Sequence, residues 1–364
     1  MRRESRAGGR CNMGSLDSKK LLIAASGTGG HLFPAIAVAR QLPDYQITWL
    51  GVPDRLEGQL VPEQYPLKTI AVAGFQGGWL RVLPVCWGLG RSIWQVRRLL
   101  KTQGFAGVFT TGGYIAAPAI LAARSLGLPV ILHESNAIPG KVTRWCGRFC
   151  TQVALGFAQA ARHLPGIATT VVGTPVRPEF FAPCALELGI PAHVSLLVVV
   201  GGSQGAIAIN RLVRQCAPQW LNQGIYIVHL TGDSDPEVKN FHHPHYLSLP
   251  FYHDMAALLQ RADLAISRAG SGSLTELAIT NTPAVLIPYP FAAEDHQTHN
   301  ARIFAEVGAA LLLDQKNLRA PELTELVLEL LRSPARLTQM QKHMASLATQ
   351  DSATQLAQLI RQVI

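Results

Sequence analysis

Residues 21-LLIAASGTGGHLFPAIAVAR-40 decide how the chain folds. An unbroken apolar run, Leu21 to Ala25, meets the glycine-rich turn 26-SGTGGH-31 and then a small-residue apolar pattern ending at Arg40. A short apolar run followed by a turn and a helix is the grammar of a parallel strand covered on both faces. The turn presents backbone N–H groups at a helix N-terminus, where an anion is favoured. The helix is expected from about Phe33, and Pro34 suits a first helical turn. A dinucleotide fingerprint would need glycine or alanine at position 32 and an acid closing the second strand. Leu32 and Gly51 stand there instead, which argues against a nicotinamide or flavin and leaves an anion-binding turn.

The same grammar returns at 195-SLLVVVGGSQGA-206, where Ser203 adds a hydroxyl to the glycines. Further strands are expected at 46–51, 106–110 and 129–133, and again at 225–230, 263–267 and 284–288. The fold class is therefore α/β, two doubly wound Rossmann-like domains facing a cleft, with ligands beyond the carboxyl ends of the strands. The expected division is a disordered tail over 1–18, a first domain over 19–177 and a second over 178–345. A last helix over 346–364 is a candidate to pack back on the first domain.

The 364 residues, 48% of them apolar, suit two domains of ordinary size. The longest uncharged apolar stretches, 115–123 and 194–202, fall far short of the roughly 20 residues a membrane-spanning helix needs. The first 20 residues lack an apolar core, so no secretory signal is expected. The cysteines at 11, 86, 146, 150, 184 and 216 show no metal spacing and read as reduced thiols. The net charge of +9 is uneven: 20 Lys and Arg face 7 Asp and Glu through Arg177, and 12 face 16 beyond it. A basic first half suits nucleic acid, anionic lipid or a phosphorylated substrate. A nucleic-acid partner would leave both glycine turns idle, and the aromatic residues form no stacking pattern. None is expected.

Other stretches carry candidate chemistry. In 267-SRAGSGSLTELA-278, Arg268 can neutralise phosphate, the hydroxyls and helix N-terminus can bind its oxygens, and Glu276 suits the vicinal hydroxyls of a ribose. Ser273-x-x-Glu276 also reads as a capping box. The segments 112-GGYIAAP-118 and 133-HESNAIPG-140 place Tyr114, His133, Glu134 and Asn136 at strand ends, and Arg177 stands beside the expected hinge. The segment 74–101 combines Trp79, Trp87 and Trp94 with five basic residues, which fits either a membrane interface or a core helix with a basic outer face. The cluster 241-FHHPHY-246 reads as a loop.

In order and spacing, SGTGGHLFPAIAVA, GGYIAAP, HESNAIPG, VGTPVRP, GGSQGA, SRAGSGSLTE and DHQTHNA resemble the bacterial MurG family, from Lys20 onward. These are undecaprenyl-diphospho-muramoylpentapeptide N-acetylglucosaminyltransferases. The resemblance implies a GT-B architecture and inverting transfer of GlcNAc from UDP-GlcNAc to the 4-hydroxyl of lipid I, giving lipid II and UDP in peptidoglycan synthesis. It implies a peripheral enzyme on the cytoplasmic side of the plasma membrane, with an anionic membrane surface and other cell-wall synthesis and division proteins as candidate partners. No cofactor is implied, and no D-x-D motif suggests a metal. By motif, Thr28, Gly29 and Gly30 would face phosphates, while Asn136, Arg177, Ser203 and Gln297 would contact the donor. Ser271, Gly272, Ser273, Leu274, Thr275 and Glu276 would surround its diphosphate and ribose, and the backbone near Tyr252 would read uracil. Tyr114, Asn210 and Arg268 complete the substrate-binding candidates. His31 is the first candidate base, and Glu134 the alternative base or an orienting partner. Three departures stand out: Ser26 where the family often has glycine, Tyr252 where it has an aliphatic residue, and His296 where some members carry glutamine. The rival readings are a UDP-sugar transferase with another lipid acceptor and a UDP-GlcNAc 2-epimerase.

Overall fold

A computed structural model describes residues 18–72, 82–202 and 206–364. Two sheets organise them. The first contains β1 (Lys20–Ala24), β2 (Gln46–Gly51), β3 (Leu67–Thr69), β4 (Gly107–Thr110), β5 (Val130–Glu134), β6 (Gln152–Leu155) and β7 (Thr169–Val171), in the order β3-β2-β1-β4-β5-β6-β7. The second contains β8 (Leu196–Val200), β9 (Tyr226–Leu230), β10 (Tyr246–Leu249), β11 (Leu264–Ser267), β12 (Ala284–Leu286) and β13 (Ala310–Leu312), in the order β10-β9-β8-β11-β12-β13. Neighbouring strands pair in parallel throughout both sheets.

Period-two alternation within the apolar runs feeds cores on both faces. Leu21 and Ile23 pack with Trp49 and Phe109 on one side of the first sheet, while Leu22 and Ala24 pack with Leu50 and Val108 on the other. Leu196 and Val198 likewise oppose Leu197 and Val199 in the second sheet. Strand order reverses between β1 and β4, and between β8 and β11. These are the switch points where open α/β sheets leave a crevice, and the turn 26–31 follows β1 there as Gly201 and Gly202 follow β8.

The first helix begins at Gly29, four residues before the sequence expectation. Thr28 is its extended N-cap, and the Thr28 carbonyl accepts from the N–H groups of His31 (3.0 Å) and Leu32 (3.1 Å). Gly29 and Gly30 therefore occupy the first two helical positions, whose N–H groups have no partner within the helix.

The chain crosses between the domains twice, and the crossings touch. Gly173 has φ +74°, and a Cβ there would lie 2.6 Å from Cβ of Thr349, so only glycine fits. After that second crossing the helix Ser352–Val363 lies against the helix Gly29–Arg40. Leu356, Ala357, Ile360 and Ile364 join the first domain's core, and Arg361 makes a two-pronged ion pair with Asp44.

Candidate active site

Between the carboxyl ends of the two sheets lies a cavity of about 360 Å³. The first domain contributes Thr28, Gly29, Gly30, His31, Phe33 and Pro34, then Ser135 and Asn136 beyond β5. Pro175 and Val176 of the first crossing also line the cavity. The second domain contributes Gly270, Ser271, Gly272, Ser273, Glu276, His296 and Gln297. The first glycine turn thus faces the segment Gly270–Ser273 across the cavity, and the described residues of the 201–206 turn do not line it.

The first turn is braced by a residue the sequence reading missed. Glu57, fully buried, accepts from Ser26 Oγ (2.6 Å) and the Val52 N–H (2.7 Å) on one oxygen, and from the Gly27 N–H (3.3 Å) on the other. Gly51, which had marked the absence of a ribose acid, is the residue that admits Glu57: a Cβ there would lie 2.8 Å from Glu57 Cγ. Ser26 gives this turn a side-chain tie to Glu57 that glycine could not make. Gly27, at φ +103°, requires the freedom of glycine. A Cβ on Gly29 would stand 2.8 Å from the Phe33 ring, whose face carries the Arg177 guanidinium 4.7 Å from its centroid.

His31 Nδ1 lies 2.7 Å from the Thr111 carbonyl, and Thr111 Oγ1 donates back to the His31 carbonyl at 2.9 Å. A carbonyl only accepts, so Nδ1 carries a proton, and in the neutral imidazole the lone pair is on Nε2. The ring is thereby fixed in the tautomer a general base needs. Gly112 and Gly113, both at positive φ, wrap the turn after β4 around it.

Glu134 is fully engaged elsewhere, which corrects its reading as an alternative base. One oxygen accepts from the N–H (3.0 Å) and Nδ2 (3.1 Å) of Asn136, the other from the Gly140 N–H (2.9 Å) and Thr143 Oγ1 (2.6 Å). It is buried outside the cavity lining, and what it orients is Asn136. His133 is buried too and donates from Nε2 to the Gly173 carbonyl at 2.9 Å, tying β5 to the crossing.

On the second wall the helix Ser271–Ile279 starts after Gly270, so Ser273 lies inside its first turn and the expected capping box does not form. Ser271, Ser273 and Glu276 turn toward the cavity. Glu276 stands 3.7 Å from Arg177. Burial pushes its carboxyl up to about 7, against the opposing pull of that guanidinium. Gln297 Oε1 accepts from the N–H groups of Ala269 (3.3 Å) and Tyr289 (2.9 Å), which leaves its Nε2 as the donor toward the cavity.

Several candidates are not brought there. Arg268 is buried and donates to the carbonyls of Ile287 and Pro288, with burial pushing it down to about 10, so its guanidinium braces a loop and does not line the cavity. Leu274 is a core side chain, and Thr275 Oγ1 donates to the Ser271 carbonyl. Tyr114 is 47% exposed outside the lining, and Tyr252 rests against the second domain's core. Ser203 lies outside the described residues.

Asn210 is corrected from a contact residue to a supporting one. It is buried, donating to the Thr231 carbonyl (2.9 Å) and Asp235 (2.8 Å) and accepting from His229 Nε2 (3.0 Å). His229 Nδ1 in turn accepts from the Tyr246 hydroxyl at 2.6 Å, and Arg214 closes the network on Asp235. Burial, with Arg214 nearby, pushes His229 down to about 3. The unfolded chain takes that proton first as pH falls below about 6.5, so stability drains away from there toward pH 3. The expected loss at pH 5 is about 2 kcal/mol relative to neutral pH, from about 1.5 units at 1.36 kcal/mol each. Thermal melts at pH 7 and 5 check it: His229→Gln should show a visibly smaller drop than the wild type.

The helix Val82–Gln103 has both a core face and an exposed basic face, and Trp79 and Arg81 lie outside the described residues. Val96 and Leu100 face the core, whereas Trp87 (71% exposed) and Trp94 (58%) lie on the outer face, with Arg91 and Arg98 over their rings. Among the described residues no helix is long and apolar enough to cross a membrane. Among them, too, no group of three or more His, Cys, Asp or Glu side chains could hold a metal ion.

The glycosyltransferase family 28 N-terminal domain matches residues 21–155, and the family's C-terminal domain matches 196–357. A protein of Gloeothece citriformis is 62% identical over 343 residues, covering 94% of this chain and 95% of that one. Its counterpart in Nostoc punctiforme is 61% identical over 349 residues, covering 95% and 98%. Both are named UDP-N-acetylglucosamine–N-acetylmuramyl-(pentapeptide) pyrophosphoryl-undecaprenol N-acetylglucosamine transferase. The crystal structure of MurG from Acinetobacter baumannii superposes with a TM-score of 0.78 at 31% identity, covering 94% of this chain and 99% of that one.

Proposed function

The chain belongs to the UDP-N-acetylglucosamine–N-acetylmuramyl-(pentapeptide) pyrophosphoryl-undecaprenol N-acetylglucosamine transferases of glycosyltransferase family 28, and from that premise we infer the part each wall of the cleft plays. The enzyme moves GlcNAc from UDP-GlcNAc to lipid I, giving lipid II and UDP, and the family resemblance implies attack by the 4-hydroxyl with inversion at the anomeric carbon. Inversion takes one in-line displacement. The acceptor hydroxyl forms a bond to the anomeric carbon as the bond to UDP breaks, and its proton goes to a base in the same step.

The observation that carries the assignment is the His31 ring, held through Nδ1 by the Thr111 carbonyl so that Nε2 is left for the acceptor, in the same cavity as Ser271, Ser273 and Glu276. On this reading Nε2 receives the proton. The N-terminus of the helix Ser271–Ile279 and its serines stabilise the diphosphate as charge builds on it, and Glu276 accepts from the ribose hydroxyls. Gln297 Nε2 and the Asn136 side chain hold the sugar from opposite domains. The N–H groups of Gly29 and Gly30 face a phosphate of the acceptor. The test is UDP release from UDP-GlcNAc with and without a lipid I analogue. Acceptor-dependent release is expected, and equal release in both arms would overturn the reading.

The lipid acceptor calls for a membrane surface, and the Trp87–Arg91–Trp94–Arg98 face suits one of anionic phospholipid: the indoles settle among the headgroups and the guanidinium groups meet their phosphates. A peripheral position on the cytoplasmic side of the plasma membrane is the corresponding proposal for localisation. Replacing Trp87 and Trp94 together with serine should weaken binding to anionic vesicles by about tenfold or more while UDP affinity stays unchanged. Sedimentation with vesicles reads this, and unaltered vesicle binding would remove the assignment.

A further inference from the structure

Asn300 has no part in the roles assigned so far, yet it sits where the domains meet. It is fully buried on the helix His296–Glu306, three residues beyond Gln297 and so on the same helix face. Together the two side chains grip Ala269, the residue leading into the diphosphate-facing helix. Gln297 takes the N–H of Ala269, and Asn300 Nδ2 donates to its carbonyl at 3.2 Å. Asn300 then reaches the other domain. Nδ2 also donates to Asn136 Oδ1 at 3.1 Å, and Oδ1 accepts from the Ala137 N–H at 2.8 Å. Asn136 passes the chain on to Glu134.

We propose that Asn300 is a positioning residue for the transfer, the buried joint that sets the acceptor-side wall (Asn136) against the donor-side wall (Gln297). Both of its N–H groups and its oxygen are used, and each partner belongs to a segment that lines or leads into the cavity. A single carboxamide therefore ties the two walls to each other inside the cleft. The reacting atoms must come within about 3–3.5 Å, and a misplacement of about 1 Å can cost on the order of 100-fold in rate. Donor groups that lie wholly in the second domain do not depend on that tie. Loss of the joint should therefore lower turnover and spare nucleotide binding. The Arg144–Glu294 ion pair (2.9 Å) also links the domains, but both side chains are partly exposed to solvent, where such pairs contribute little.

The proposal rests on the transferase reading, and the experiment separates the two. Asn300→Ala, Asn300→Asp and Arg144→Ala are compared with the wild type for steady-state UDP release with a lipid I analogue and for UDP affinity by calorimetry. Asn300→Asp keeps an acceptor for Ala137 but turns a carboxylate toward the oxygens of Ala269 and Asn136. The expected result is a kcat about 10- to 100-fold lower in both Asn300 variants, with UDP affinity within about threefold. Arg144→Ala should stay within about twofold on both measures. Undiminished kcat in Asn300→Ala overturns the proposal, as does UDP affinity falling in step with kcat, which would confine Asn300 to shaping the second domain. An equal loss in Arg144→Ala overturns it too, because any contact between the domains would then suffice. Failure of both Asn300 variants to fold would likewise reassign the side chain to the fold. Should the wild type itself show no acceptor-dependent release, it is the transferase reading that fails.

Discussion

His31→Gln should lower kcat by about three orders of magnitude, within the range a general base contributes, while UDP affinity stays within about threefold. Glutamine is close in reach to histidine, and its side-chain N–H can still donate to the Thr111 carbonyl, so the turn after β4 and the helix Gly29–Arg40 keep their contacts. What disappears is the basic lone pair at Nε2. UDP should notice little, since the groups proposed to hold it come from the second domain. Single-turnover measurements with a lipid I analogue make the comparison cleanest, because they separate chemistry from product release. Near wild-type turnover in this variant would strip His31 of the base role and leave it as a ligand to the acceptor's phosphate.

The placement of His31 and the glycine turns was legible because backbone geometry dictates it. Runs such as Leu196–Val200 bury both faces, and a glycine turn at their carboxyl end leaves few alternatives. The short strands β3 (LKT) and β7 (TTV) were not legible. They are exposed three-residue edges with no apolar period, held by pairing to a neighbouring strand. Candidate contacts divided along a similar line. Ser271, Ser273, Glu276 and Gln297 follow from a helix start and a helix face, and the structure brings them to one cavity. Asn210, Arg268 and Glu134 have the right chemistry but point into the protein, and residue type alone does not reveal direction. Glu57 could not have been found: it lies on a four-residue helix, and its partners at 26, 27 and 52 meet it only in three dimensions.

Glu276 carries the second large effect, and its sign can be worked out. Burial raises its carboxyl to about 7 in the free enzyme, with Arg177 holding it down from going further. Between about pH 4.5 and 7 the folded protein therefore binds this proton more tightly than the unfolded chain does. Stability is therefore lost as pH rises from about 4.5 to about 7, and it changes no further above that, where the carboxyl is ionised in both states. If the ionised form accepts from both ribose hydroxyls, ligand binding is competent only above that value. Uridine is the suitable probe, since it carries the hydroxyls without a phosphate whose own protonation would intrude. Its affinity should fall about tenfold from pH 8 to pH 6, as the ionised fraction drops from about nine-tenths to about one-tenth. Glu276→Ala should weaken it by about 100-fold at pH 8, the loss of two charge-assisted hydrogen bonds, and Glu276→Gln should bind weakly with no pH dependence. Arg177→Ala should move the midpoint upward, because the carboxylate loses its nearby positive charge and Phe33 and Phe180 lose the cation between them. A flat wild-type profile, or one that Glu276→Gln reproduces, would mean that the ribose is held by other groups and that the Arg177–Glu276 pair braces the crossing between the domains.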